Sequence, residues 1–299
     1  MNTPQGGLLA LGTASQAYLE LDLRDGASTK ALARAVASLH EPRTTMGGVN
    51  LVAGFRPELW SEVAGGAAPA GLTGFNEDLS GTEGFTMPAT QHDAVLWVSG
   101  MSYDVVFDVC RGVLKALSGV ASLASETACW PYQRDRDLTG FIDGSENPTL
   151  SEALEVALVA DGTPGAAGSV LLLQKWVHDT ATWEALPDHA QEQVIGRTKP
   201  DSIELDPKPA DCHVARTDQD QFGSIFRRNM PWGTVSEHGT MFVGFCAEQQ
   251  HLATMLESMA GLASGVRDAL TRYTKPVSGA YYFVPSVEDM AGFAEAASD

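Results

Sequence analysis

The chain has 299 residues, 44% of them apolar and 19% charged, which can fill a large core and leaves room for two domains of about 150 residues. Thirty-eight acidic against nineteen basic residues give a net charge of −19, which argues against nucleic-acid or anionic-membrane partners, since both need basic surface. No apolar run approaches the roughly 20 residues of a membrane span, and the opening MNTPQGGLLALG lacks the basic start and long apolar stretch of a secretory signal.

In chain order, QAYLELDL (16–23) reads as a strand. AVLWVSGMSYDVVFDVCRGVLKAL (94–117) reads as a strand and then a helix, with Val106, Val109, Val113 and Leu117 on one stripe. TGFIDGSENP (139–148) is a turn or loop, because Gly140, Gly144 and Pro148 interrupt any regular element. SVLLLQKW (169–176) is again a strand. Residues 197–224 show no apolar periodicity and carry three prolines, and a segment of that kind inside a compact chain tends to be functional or disordered. TMFVGFCAEQQHLATMLESMAG (240–261) is a second strand–helix pair, with Leu252, Met255, Leu256 and Met259 on one helix face.

The second strand–helix pair lies about 147 residues after the first, and 169–176 lies about 153 after 16–23. Two similar offsets predict two copies of one half, 1–145 and 146–299, joined through a glycine- and proline-rich seam. Strands alternating with helices in each half predict an α+β fold of duplicated ferredoxin-like halves, with antiparallel sheets packed face to face and peripheral helices. The four cysteines show no C-x-x-C pair or framework spacing, which predicts reduced, mostly buried thiols and a cytoplasmic protein.

P-loop, H-E-x-x-H, G-x-S-x-G and G-x-G-x-x-G motifs are absent. Three features remain. Asp143 follows Phe141 and Ile142, either as a partly desolvated carboxylate or as an ordinary Asx-turn residue. In SIFRRNMPWG, period-2 alternation turns one of Arg227 and Arg228 inward, where an arginine needs an anionic partner or ligand. His213, in the long irregular segment, suits a metal ligand if something fixes its second ring nitrogen. His40, His92, His178, His189 and His251 read as surface or capping residues, and His238, which precedes a strand, is the rival ligand.

GFIDGSENP resembles the G-x-x-D-G signature of dye-decolourising peroxidases, in the form typical of their bacterial B-type group. QEQVIGRTK (191–199), CHVARTD (212–218), FRRNMPWG (226–233) and RDALTRYTKPVSGAYYFVPS (267–286) match in the same order. The resemblance implies a haem peroxidase that uses hydrogen peroxide to oxidise dyes, phenolic or porphyrin-like donors through an oxidised haem. It implies one b-type haem per chain, held non-covalently; a C-x-x-C-H attachment ending at His213 would need a cysteine where Pro209 stands.

Residue by residue, the resemblance puts His213 on the proximal iron ligand, Asp143 on the distal acid and Arg227 on the distal arginine. Asn229 falls in the distal pocket, Arg197 and Lys199 near the haem propionates, and Asp268 on the acid that holds the proximal imidazole. It also implies a homo-oligomer, a dimer or larger, and a small organic electron donor. Trp183, Tyr132 and Trp232 are candidate electron relays, with ordinary packing as the alternative. The competing functions are a haem- or porphyrin-handling protein of iron metabolism and a haem-free binding protein that kept the fold.

Overall fold

The computed structural model describes residues 2–10, 12–39 and 48–295; His40 lies outside the described residues. Among the described residues, twelve strands run in chain order. They are β1 Ser15–Leu23, β2 Asn50–Phe55, β3 Leu79–Ser80, β4 Thr86–Met87, β5 Ala94–Gly100 and β6 Ala121–Cys129, then β7 Ser169–His178, β8 Phe226–Arg227, β9 Met230–Gly233, β10 His238–Cys246, β11 Thr274–Pro276 and β12 Ala280–Val284. β3 and β4 form a small separate ribbon. The rest make one antiparallel sheet in the order β11-β7-β12-β2-β5-β1-β6-β9-β10-β8, and a β7–β10 pairing closes it.

The first half contributes β2-β5-β1-β6 and the second β12-β7-β10-β9. In each, the first strand of the half lies between the third and the fourth, and the second strand is at an edge. The seams are thin: Phe55 pairs with Phe283 on one side and Cys129 with Trp232 on the other. This corrects one expectation. The sheets are not two separate layers facing each other, because their edges are hydrogen-bonded into a closed barrel of eight strands, which removes free edges.

Strand alternation gives the barrel two faces. Inside, Tyr18 stacks on its cross-strand partner Trp97, and Leu171, Leu173, Val243, Phe245 and Tyr282 fill the space. Outside, Leu19, Leu21, Leu96, Val170 and Leu172 belong to a second core beneath the helices. The 103–117 helix buries Val106, Val113 and Leu117 of its predicted stripe, with Cys110 in place of the half-buried Val109, and the 249–259 helix buries Leu252, Met255 and Leu256 while Met259 stays half-buried. The interior also holds polar groups, each with a partner. Gln16 Oε1 accepts from Tyr18 at 2.7 Å and Trp97 at 2.9 Å, and Tyr282 donates to Glu20 at 2.8 Å. Burial raises the Glu20 pKa, and the bond from Tyr282, which favours the charged form, only partly offsets it.

All four cysteines are buried and free. Burial pushes the Cys110 and Cys246 thiols up to about 12, so they are packing residues rather than nucleophiles. No helix among the described residues is long and apolar enough to cross a membrane.

Candidate active site

The cavity lies outside the barrel, on the outer face of the second half. Leu172, Gln174, Trp176 and His178 of β7 and Thr240 and Phe242 of β10 form one wall. Leu252, Met255, Leu256 and Met259 of the 249–259 helix contribute apolar side chains, and residues of the 137–146 segment and His213 also line it. The empty volume is about 1230 Å³, its open mouth included.

The 135–143 segment is a tight hairpin. Asp143 N donates to Asp135 O at 2.8 Å, Asp137 N donates to Phe141 O at 3.1 Å, and Arg136 bridges Ile142. Gly140 (φ 85°) turns the chain and Gly144 (φ 77°) releases it, both in the left-handed region that glycine adopts without strain. Phe141 anchors the tip against Trp183, whose indole donates to Thr139 O at 3.0 Å. The signature glycines thus let a short hairpin carry Asp143 to the cavity wall.

Arg227 stands on β8. Asn147 clamps its backbone: the Asn147 side chain accepts from Arg227 N at 2.9 Å and donates to Arg227 O at 2.8 Å. The alternation is as expected from sequence. Ile225, Arg227 and Asn229 line the cavity, while Phe226 belongs to the barrel interior. Arg228 also turns away, lying over Trp97 at 4.5 Å and donating to the Gly7 and Leu8 carbonyls at 2.6 and 3.0 Å. Asn229 is fixed by Val243 N at 3.1 Å and donates to Asp143 at 3.4 Å. Asp143, Arg227 and Asn229 therefore share one cavity.

His213 opens a one-turn helix, His213–Arg216, in the segment that lacked periodicity. Its Nδ1 meets Asp268 Oδ2 at 2.7 Å, and Asp268 Oδ1 accepts from Leu270 N at 2.8 Å. Asp268 is completely buried. Burial of the ring opposes protonation, but the Asp268 carboxylate more than offsets it and raises the His213 pKa above its ordinary value. With Nδ1 occupied, Nε2 is the nitrogen left for a metal.

The remaining predicted residues divide. Arg197 lines the cavity, with its guanidinium held by Glu146, by Glu204 at 3.3 Å and by Ser202 O at 2.8 Å. Lys199 is not among the lining residues; its ammonium is engaged by Asp188 at 2.8 Å and Gln191 at 2.6 Å. His238 is not among them either, and it bonds Thr180 at 2.6 Å and Thr234 O at 3.0 Å. His178, expected at the surface, does line the cavity. It meets Thr240 at 3.1 Å, and burial followed by His238 lowers its pKa to about 4. Trp232 packs inside the barrel and donates to Trp176 O at 3.0 Å. Trp183 lies behind Thr139 and Tyr132 packs on Trp130, so none of the three aromatics lines the cavity.

Two functional candidates escaped the sequence reading. Asn147 falls within the stretch read as a turn, and Asp137, just before it, carries no sequence signal that singles it out. Asp137 lines the cavity, and burial together with Asp143 pushes its carboxyl up to about 6.

An imidazole fixed by a buried carboxylate shares a largely apolar cavity with an Asp–Arg–Asn set. This set suits a redox enzyme that holds a large, flat prosthetic group, and that is the class this fold and cavity define. Residues 134–289 match the family model described as Dyp-type peroxidase, C-terminal. A dye-decolorizing peroxidase of Mycolicibacterium paratuberculosis is 34% identical over 304 residues, covering 94% of this chain and 83% of the relative. A variant of DypB from Rhodococcus jostii RHA1, solved in complex with heme, superposes with a TM-score of 0.88 at 30% identity, over 97% of this chain and 98% of that one. A dye-decolorizing protein from V. cholerae does so with 0.83 at 35% identity, over 95% and 97%. The chain belongs to the dye-decolourising peroxidase family. Its likeness to a Yersinia pestis deferrochelatase is lower, 28% identity over 51% of this chain and 42% of that protein.

Proposed function

We propose that the chain is a haem peroxidase that binds one b-type haem non-covalently in this cavity, reduces hydrogen peroxide and oxidises a small organic donor. The observation that carries this reading is the His213–Asp268 pair in the same cavity as Asp143, Arg227 and Asn229. Arg227 Nε, buried without a hydrogen-bond partner, fits a cavity built around a group with acceptor atoms. The apolar side chains of Leu172, Phe242, Met255 and Leu256 fit its flat faces.

His213 Nε2 would ligate the iron, and Asp268 would hold the ring and increase its donor strength. When bound, the haem supplies the metal at which peroxide is reduced and the store for electrons taken from the donor. Asp143 accepts a proton from one peroxide oxygen and returns it to the other. Arg227 stays charged throughout and stabilises negative charge on the departing oxygen. Asn229 holds Asp143 in reach, and Arg197, in the cavity lining, would be the basic group that meets a haem carboxylate. The matching strand orders support reading 1–145 and 146–299 as two ferredoxin-like copies, the second carrying most of the site. A cytoplasmic homo-oligomer is part of the same reading.

The test is direct. Haem added to the purified protein is expected to saturate at one per chain with a Soret band, and peroxide plus a dye is expected to give turnover. A protein that binds haem but reduces no peroxide would favour haem handling instead.

The donor's charge matters too. A second hollow shares Glu146, Val214 and Gln219 with the cavity and is lined by Glu152, Glu155, Glu204, Asp218 and Asp220, with Lys208 the one basic group in its lining. Raising the ionic strength from about 0.01 to about 0.15 M shortens the screening length from about 30 to about 8 Å. Over that range, oxidation of an anionic dye should accelerate by up to roughly tenfold and that of a cationic donor should slow. Steady-state kcat/KM for one donor of each charge measures this.

A further inference from the structure

The cavity holds a carboxylate that the mechanism above does not use. Asp137 and Asp143 sit on the two arms of the 135–143 hairpin, where Arg136 and Ile142 form the bridged pair. By that register Asp137 stands opposite Phe141, so Asp137 and Asp143 are diagonal neighbours across the hairpin, about 7–8 Å apart at the backbone. Both line the cavity. Asp137 Oδ1 accepts from the Thr139 backbone N–H at 2.8 Å and from the Thr139 hydroxyl, which fixes the carboxyl group in the wall.

We propose that Asp137 supplies protons to Asp143 during the donor-driven half of the cycle, acting through Asp143 and a bridging water rather than touching peroxide itself. The inference rests on the peroxidase reading and deepens it. Hydrogen peroxide becomes two waters only if two electrons and two protons are added. The proton that Asp143 moves between the two oxygens is internal to peroxide and provides neither. The electrons come from the donor, one at a time, so each must be matched by one proton brought into the cavity. Asp143, once it has given up its proton, is an empty carboxylate beside the remaining oxygen. Asp137 is placed to refill it, and solvent at the cavity mouth refills Asp137.

The groups that set its protonation are burial first, then the Asp143 charge, both favouring the neutral acid, with the Thr139 bonds and His213 opposing them. They leave Asp137 titrating at about 6. Below that pH it carries the proton and can deliver it; above, it is ionised and cannot. Donor-driven turnover should therefore be fast on the acid side and fall as pH rises through about 6.

The test uses a readout that needs neither haem nor peroxide. In the infrared spectrum of the purified protein, a protonated carboxyl band should disappear as pH rises through about 6 and be missing in Asp137→Asn. In Asp143→Asn the same band should persist to lower pH only, because the neighbouring charge is gone. In the holoenzyme at about pH 5, Asp137→Asn should cut donor-limited turnover by roughly tenfold, affecting the reaction with peroxide less, and should erase the fall near pH 6. Asp137→Glu should restore part of both. Thr139→Val keeps the carboxyl group but removes one bond to its charged form, and should move the fall to higher pH. A carboxyl band titrating near pH 6 that survives in Asp137→Asn, or a pH profile that neither Asp137→Asn nor Thr139→Val shifts, overturns the proposal. Loss of all peroxidase activity in the unmodified protein would instead overturn the reading on which it rests.

Discussion

Replacing His213 with alanine is expected to give a folded protein that no longer retains haem. Its imidazole is the one in the cavity whose Nδ1 is held by a buried carboxylate, at 2.7 Å. That arrangement leaves Nε2 as the ring nitrogen for the proposed haem iron. Asp268→Asn should be milder, since the ring stays but its anionic partner is lost; such outer partners typically contribute about 10–100-fold to metal affinity. His238→Ala is the control, because His238 is satisfied by Thr180 and the Thr234 carbonyl away from the cavity lining. Haem titration followed at the Soret band measures all three, with circular dichroism to establish that each variant folds. Added imidazole should partly restore the spectrum of His213→Ala if the defect is the missing nitrogen. A normal spectrum for His213→Ala together with a lost one for His238→Ala would reverse the assignment.

Much of the frame was legible because it depends on local patterning. The helix stripes at 106–117 and 252–259 bury most of the residues their period selects, with Val109 and Met259 half-buried at the margins. Alternation in FRRN separates Arg227 from Arg228, though parity alone does not say which is inward; the structure shows that both turn inward, one to the cavity and one to the barrel. Closure of the barrel was not legible. It hangs on single bridged pairs, Phe55 with Phe283 and Cys129 with Trp232, that no periodicity encodes.

Of the residues read from the resemblance, His213, Asp143, Arg227, Asn229 and Arg197 meet in one cavity lining. Lys199 stands outside it, because a long flexible side chain goes where its partners are, and Asp188 and Gln191 hold it. His178 was read as a surface residue because its strand ends there, but the strand's outer face is the cavity wall. Asp137 was hidden because an aspartate two residues before a threonine that donates to it is also the ordinary chemistry of an Asx turn.

Asp143→Asn and Arg227→Leu should both slow the reaction with hydrogen peroxide while leaving haem content near normal, since neither side chain is proposed to bind iron. Asparagine keeps the shape and the contact with Asn229 but cannot take a proton, and loss of a general acid–base typically costs roughly 10²–10⁴ in rate. Leucine removes a fixed positive charge where the departing oxygen becomes negative, a loss of about 10²–10³. If both act on one proton-transfer event, the double variant should be slower by less than the product of the single losses. Stopped-flow mixing of each haem-loaded variant with peroxide gives the rates. Arg228→Leu tests the alternation from the other side. Its guanidinium serves the Gly7 and Leu8 carbonyls inside the barrel, so the rate per haem should change little. Stability should nevertheless fall, because leaving a buried acceptor unpaired costs about 1–3 kcal/mol. A crippled peroxide reaction in Arg228→Leu, with Arg227→Leu unaffected, would mean that the distal charge comes from the other arginine.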